Sequence, residues 1–249
     1  MSYTILIERW PTFLVLIGFS LIHFVPNYER LSFLSKRSLI SFSAGVGVSY
    51  VTLNLFPYLS YSQALLNDSF GWSVNSIFGN SVYLAVLLGF TIFYVINKYD
   101  EKEMVKLEKD DPKTFKEVIF DMEITFYALY NAMIGYLVAS GSMGSNTNLL
   151  IYFIAFGLHF LLIAWVLCYH HEHKYDRVGG AVLAISIILG GVFAIFLKLP
   201  TYLVVFIKAF ITGAMTLNVI KFELPGENQG SLRGFLFGVV LSAILFLLI

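Results

Sequence analysis

The densest group of residues that could do metal chemistry is the run Cys-Tyr-His-His-Glu-His at positions 168–173. Imidazole and carboxylate side chains of this kind bind d-block cations such as zinc. The candidate ligands are His170, His171, Glu172 and His173. Successive residues on a helix point about 100° apart, so at most two of these four face the same ion without an unwound turn. The run therefore predicts either a metal cluster or a solvated helix end.

Five further polar residues lie within or beside long apolar stretches: Asn54, Asp121, Glu123, Asn131 and His159. Ionisable groups at membrane depth are costly and by default indicate function. Asp121 and Glu123 would serve as an exit site for a metal ion or proton, or as interfacial carboxylates favoured by a helix N-terminus. His159 is either a ligand or a hydrogen-bonded packing residue.

Lys208 and His23 are two more polar residues in apolar surroundings. Lys208 lies about two turns inside an apolar run, where its ammonium must reach the interface, pair with an acid or line water. Within a cation path this charge would repel a divalent ion. His23 has no partner at metal-ligand spacing, and we interpret it as structural.

The composition shows what kind of protein must position these residues. Of the 249 residues 58% are hydrophobic and only 13% are charged, with a mean hydropathy of +0.78. Soluble domains carry about a quarter of their residues as charged types, so an ordinary soluble enzyme is excluded. Acids and bases are equal at 16 each, which gives no indication of a nucleic-acid partner. We expect a single polytopic membrane domain over 1–249, in contact with the lipid bilayer.

Eight apolar runs are long enough to cross the roughly 30 Å core of a bilayer as helices. They lie at about 10–26, 38–59, 79–97, 118–140, 148–169, 179–197, 201–222 and 232–249. None shows the period-2 alternation of a porin strand, so the predicted fold is all-α, an integral membrane bundle of eight transmembrane helices.

The basic residues predict the orientation of these spans. Thirteen of the 16 Lys and Arg residues fall in the loops after spans 1, 3, 5 and 7. By the positive-inside rule those loops are cytoplasmic, and both termini are exoplasmic. The segment 98–117 is then a charged cytoplasmic loop, which extends span 3 as a short helix until Asp111-Pro112 breaks it. It is more typical of a solvated loop than of a partner-docking site.

Spans 2 and 7 share residues at identical separations: Phe42, Gly45 and Pro57 in span 2, and Phe210, Gly213 and Pro225 in span 7. Each span is expected to end in a turn at its proline. Because the two spans cross in opposite directions, the match predicts an inverted repeat in which spans 1–3 mirror spans 6–8. Transporter folds are often built in this way.

Small residues recur every fourth position in span 8, at Gly234, Gly238 and Ser242, and span 2 carries Gly45 with Ser49. Such spacing lets helix backbones approach closely. We expect these residues to pack helices within one chain, rather than to form a dimer face.

The sequence SFSAGVGVSYVTLNLFP at 41–57, with AFITGAMTLNVIKFELPGE at 209–227 before the last helix, resembles the Zrt/Irt-like (ZIP) divalent-metal transporters. The eight spans, the exoplasmic termini, the charged loop after span 3 and a 3+2+3 arrangement are similar to that family. The resemblance implies a transporter bundle, often dimeric, with a metal path lined by spans 4 and 5.

The resemblance also implies metal ligands, most of which are replaced here. Polar residues remain at three of the family's positions: Asn131 in span 4, His159 in span 5 and Asn54 in span 2. Other ligand positions hold Tyr130, Ile134, Phe160, Leu162 and Ile163. A desolvated dication needs anionic or imidazole donors. The predicted site is therefore a degenerate one, in which Asn131 and His159 face each other.

Two functions follow as hypotheses. The first is a divergent ZIP-like protein that moves zinc, iron or manganese into the cytoplasm past Asn131, His159, Asp121 and Glu123. The alternative is a non-transporting membrane subunit, sensor or scaffold, acting as a homodimer or with another membrane protein. A membrane metalloenzyme needs several spaced His motifs, and only His170-His171 offers anything similar, so we expect no enzyme.

Overall fold

The computed structural model describes residues 10–27, 36–107, 112–142, 146–223 and 231–248. Within these ranges the regular structure is entirely helical. The α-helices are α1 Trp10–Ile22, α2 Lys36–Tyr50, α3 Phe56–Phe70, α4 Ser81–Leu107, α5 Pro112–Ala139, α6 Asn146–Lys174, α7 Gly180–Phe196, α8 Thr201–Asn218 and α9 Leu232–Leu247. Short 3₁₀ turns lie at Val25–Asn27 and Phe78–Asn80, and π-helical segments at Val51–Leu55, Tyr175–Gly179 and Val219–Glu223.

Five helical segments are long and apolar enough, by length and composition, to cross a membrane: Ser38–Phe70, Phe78–Ile96, Leu149–His171, Tyr175–Phe196 and Thr201–Lys221. Helices α1 and α9 are apolar but shorter. Each of the eight predicted runs is helical over most of its described residues. The protein is thus an all-helical, multi-pass integral membrane protein. Helix α5, which contains the predicted fourth run, is not among these five segments.

The helix directions follow from side-chain pairs between α5, α6 and α7. Along α5, Glu123 meets His171 and Tyr130 meets His159, so α6 runs antiparallel to α5. Helix α7 runs parallel to α5, since Asn131 bonds to the carbonyl of Leu183 and Gly135 packs against the carbonyl of Ile187. We call the end of the bundle where α5 ends and α8 begins the upper end, and the opposite end the lower end.

Glycines allow α2 and α9 to approach at the backbone. A Cβ on Gly45 would overlap the carbonyl oxygen of Phe235, and one on Gly238 would overlap that of Phe42. The Ser49 hydroxyl lies 3.4 Å from the carbonyl oxygen of Val239. The small-residue spacing therefore packs two helices of one chain, as predicted.

Helices α4 and α8 repeat this arrangement. A Cβ on Gly213 would overlap the carbonyl oxygen of Val86, and one on Gly89 would overlap that of Phe210. In each pair, one glycine lies three residues after the phenylalanine whose carbonyl meets the other glycine: Gly45 follows Phe42, and Gly213 follows Phe210. Gly45 and Gly213 are 168 positions apart, the same separation as between Phe42 and Phe210.

Two of the three π-helical segments show the same separation, because Val51–Leu55 and Val219–Glu223 also begin 168 positions apart. The expectation that span 2 ends in a turn at Pro57 is wrong, because the chain remains helical to Phe70. The amide of Phe56 donates to the carbonyl of Val51, five residues earlier. This wider turn lets the helix continue into Pro57, which has no N–H to donate and lies in the first turn of α3. Pro225 lies outside the described residues.

The charged segment 98–117 is helical over most of its length. Helix α4 continues to Leu107 and α5 begins at Pro112, so the predicted helical extension of span 3 is found. Residues 108–111 lie outside the described residues.

Candidate functional site

A buried polar pair joins α5 to the lower end of α1. The Asn131 amide nitrogen lies 3.0 Å from His23 Nε2 and 3.4 Å from the Leu183 carbonyl oxygen, to which it donates. His23 is fully buried and Asn131 is 1% exposed. The carbonyl of His23 accepts a hydrogen bond from the Tyr175 hydroxyl. The pair therefore ties together α1, α5 and the start of α7.

A second buried pair joins α5 to α6 through Tyr130, the residue that precedes Asn131. The Tyr130 hydroxyl lies 3.1 Å from His159 Nε2, and both side chains are 1% exposed. Aromatic rings surround this pair, with Phe93 against Tyr130 and Phe156 against His159. His159 is thus a hydrogen-bonded residue in an aromatic core.

Asn131 and His159 are both buried on the helices predicted for them, but their hydrogen-bond partners differ from the expectation. Asn131 contacts His23, and His159 contacts Tyr130. The prediction that His23 is structural did not include this partner, since 108 positions separate His23 from Asn131. No sequence spacing could have indicated the contact.

At the lower end, a short hydrogen bond joins α5 to α6. Glu123 Oε2 lies 2.5 Å from His171 Nε2, and Glu123 is only 3% exposed. Asp121 and Lys174 form a looser, solvent-exposed pair at 3.6 Å. The His171 ring also meets the edge of Phe120. Of the two predicted carboxylates, only Glu123 is buried.

In the predicted cluster at 168–173, the described side chains do not point to a common centre. His171 faces Glu123, whereas His170 is exposed and its ring centre lies 6.3 Å from that of His171. The thiol of Cys168 donates to Asp176 at 3.6 Å. The side chains of Glu172 and His173 lie outside the described residues, and the described ones contain no group of three or more His, Cys, Asp or Glu placed to hold a metal. The cluster stays a prediction.

A cavity of about 280 Å³ lies near the upper end, between the α2–α3 segment, α5, α6 and α8. The residues that line it include the polar side chains of Asn54, Tyr58, Ser142, Tyr152 and Lys208. Asn54 was predicted to lie on a transport path and does line this space. Its place in the π-helical segment Val51–Leu55 puts it opposite α8.

Lys208 supplies the cation of this cavity. Its ammonium donates to the carbonyl of Ser142 at 2.5 Å and lies 4.2 Å from the centre of the Tyr58 ring. Among the described residues it forms no ion pair, and the lining residues include no acid. The ammonium thus lines the cavity and reaches the turn that follows α5.

Two polar atoms of the lining are buried without hydrogen-bond partners: the Asn54 amide nitrogen and the Tyr152 hydroxyl. Tyr152 as a whole is 3% exposed. An unsatisfied buried polar atom costs about 1–3 kcal/mol. Sequence reasoning missed Tyr152, because one tyrosine within an apolar run of a chain with 15 tyrosines carries no distinguishing signal.

These features define a multi-pass helical membrane protein with a lysine-containing cavity at one end and paired polar residues in its core. Comparisons of the chain with protein-family models, with curated proteins and with solved structures found no match.

Proposed function

We propose that the chain is a divergent ZIP-like membrane protein built from two inverted repeats. The first repeat comprises α1, α2–α3 and α4, and the second comprises α7, α8 and α9, with α5 and α6 between them. The 168-position match between α2 and α8 supports this arrangement, since it extends from Phe42 and Phe210 to the two π-helical segments.

The glycine crossings agree with this arrangement. An exchange of repeats carries span 2 onto span 7 and span 8 onto span 3. The α2–α9 crossing would then become the α8–α4 crossing, and the residues at the two crossings do correspond. Gly45 packs on Phe235 as Gly213 packs on Val86. The α5–α7 crossing has the same form, since Gly135 packs on Ile187 and Gly190 packs on Ala132, and α5 belongs to neither repeat. The support for the repeat is therefore the shared separation of 168 positions, and not the glycine contacts alone.

For the activity, we infer that the bundle has kept the transporter architecture without a divalent-metal centre, and that it acts as a membrane subunit or sensor. The observation that carries this inference is the pairing of Tyr130 with His159 and of Asn131 with His23. These are neutral or imidazole groups already bonded to one another. A dication moved out of water would need anionic ligands there to offset its desolvation.

Transport of zinc, iron or manganese into the cytoplasm is the second candidate. It is favoured by the succession of polar groups along α5 and α6. The two paired sites lie in the core, and Glu123 with His171 lies at the lower end. Seven residues separate Tyr130 from Glu123, about 10 Å along a helix, so an ion would have stepwise partners.

Flux into proteoliposomes distinguishes the two candidates. With Zn²⁺ or Mn²⁺ outside and a metal-sensitive dye inside, the subunit or sensor role predicts no flux above protein-free liposomes. Saturable flux that Glu123→Gln and His159→Ala abolish would establish transport instead. Asp176→Asn removes an exposed acid near the same end and serves as the control. All variants should first elute as single species with unchanged reconstitution yield.

A further inference from the structure

We propose that the upper cavity binds a small organic anion, with its charged group against Lys208 and its apolar part against the surrounding side chains. This inference rests on the cavity alone and does not depend on the repeat or on transport. It names a binding site and the chemical class of its ligand.

The charge of the site favours an anion. Lys208 brings three N–H donors, of which the described structure shows one in use, toward the Ser142 carbonyl. The Tyr58 ring beside the ammonium adds a cation–π contact but no negative charge. With no acid among the described lining residues, the positive charge of Lys208 is left to be balanced by a ligand.

The unpaired polar atoms also favour an acceptor-only ligand. The Asn54 amide nitrogen carries two N–H donors, and the Tyr152 hydroxyl carries one O–H donor; both atoms are buried and unpartnered. Lys208, Asn54 and Tyr152 line the same cavity. A carboxylate or phosphate oxygen accepts from such donors, whereas a metal cation would find only repulsion from the ammonium.

The remaining lining residues determine the chemistry of the uncharged part of the ligand. They are largely aliphatic and aromatic, with Leu55, Leu137, Ile151, Phe156 and Ile211 among the lining residues. Binding sites of this type bury an apolar body and fix its orientation with a few polar groups. A volume of about 280 Å³ suits a short organic anion better than an inorganic one. The anionic group could belong to a soluble carboxylate or to a lipid headgroup, and the two sources share this chemistry.

Calorimetric titration of the full chain in phosphatidylcholine nanodiscs tests the site. The probes are acetate, butyrate and hexanoate, with 1-hexanol as the uncharged counterpart, and empty nanodiscs correct for partitioning. Affinity should rise from acetate to hexanoate, and hexanol should bind at least tenfold more weakly than hexanoate. Lys208→Met should lower hexanoate affinity at least tenfold. Lys198→Met, an exposed lysine before α8, should leave it unchanged.

Nanodiscs that contain phosphatidylglycerol identify the source of the anion. If a lipid headgroup fills the site, hexanoate should bind more weakly there, and native mass spectrometry should detect phosphatidylglycerol on the wild type but not on Lys208→Met. If hexanoate affinity is the same in both lipids, the ligand is soluble.

Equal binding of hexanol and hexanoate, or equal hexanoate affinity in the wild type and Lys208→Met, would overturn the proposal. Since Lys208→Met also removes the bond to Ser142, its folding is checked by its melting temperature. Tyr152→Phe is the second variant, and it removes a hydroxyl that has no partner. It should keep the melting temperature and lower hexanoate affinity about threefold; unchanged affinity in this variant would also contradict the site.

Discussion

The amide of Asn131 lies 3.0 Å from the imidazole of His23, across 108 positions of sequence and inside a region closed to solvent. The contact holds the lower end of α1 against the middle of α5. The contact also explains why the buried positions 23 and 131 hold polar residues, where apolar residues would otherwise pack. Its energetic role can be measured directly.

Replacing either member of this pair should destabilise the protein, because the other is left buried without its partner. We expect Asn131→Leu and His23→Leu each to cost about 1–3 kcal/mol. The double variant should cost less than the sum, with a coupling of about 0.5–3 kcal/mol. Denaturant titration in detergent measures this cycle. Leu129→Ala, at a 53% exposed position of α5, is the control, and an additive double variant would show that the two residues are independent.

His159→Ala should affect stability or assembly at least as strongly as any cation flux. The imidazole is bonded to Tyr130 and packed among aromatic rings, so its removal leaves the Tyr130 hydroxyl unpaired and a space in the core. Melting temperature and oligomeric state should change, and Tyr130→Phe should reproduce part of the effect. If His159→Ala instead lost all metal uptake in cells at unchanged expression and melting temperature, His159 would be a true metal ligand.

Gly45→Val and Gly213→Val should both be strongly destabilising, and to a similar degree. In each case the added side chain would overlap a backbone carbonyl of the facing helix, which cannot move without separating the helices. We expect a loss of folded yield and a melting temperature lower by several degrees. Ala64→Val makes a comparable change at an exposed position of α3 and should have little effect. Tolerance of valine at one glycine only would contradict the equivalence of the two crossings.

The orientation predicted from the basic residues can be tested by cysteine labelling. In a Cys168→Ser background, Asn75→Cys should react with a membrane-impermeant maleimide on intact cells, because it lies between spans 2 and 3 on the predicted exoplasmic side. Asp176→Cys, between spans 5 and 6, should react only after permeabilisation. Both native residues are exposed. The reverse pattern would place both termini in the cytoplasm.

The class of protein could be predicted from the sequence because it depends on sums over the chain. Long apolar runs with few charges cannot be hidden in a soluble domain of 249 residues. The close helix packing at Gly45 and Gly238 was also predictable, since it depends on the absence of a side chain at a regular spacing. Lys208 could also be recognised from the local sequence, because it places a charge within an apolar run.

What the tertiary structure decided is which polar groups meet. His23 with Asn131, Tyr130 with His159, and Lys208 with Ser142 are each joined across separate segments of the chain. No local pattern specifies these contacts, because helix rotation and depth are set by packing along the whole bundle. The same holds for Pro57, whose usual effect of ending a helix was offset by a π-helical turn. The unpartnered Tyr152 hydroxyl, and with it the anion site, becomes visible only when the helices surround the cavity.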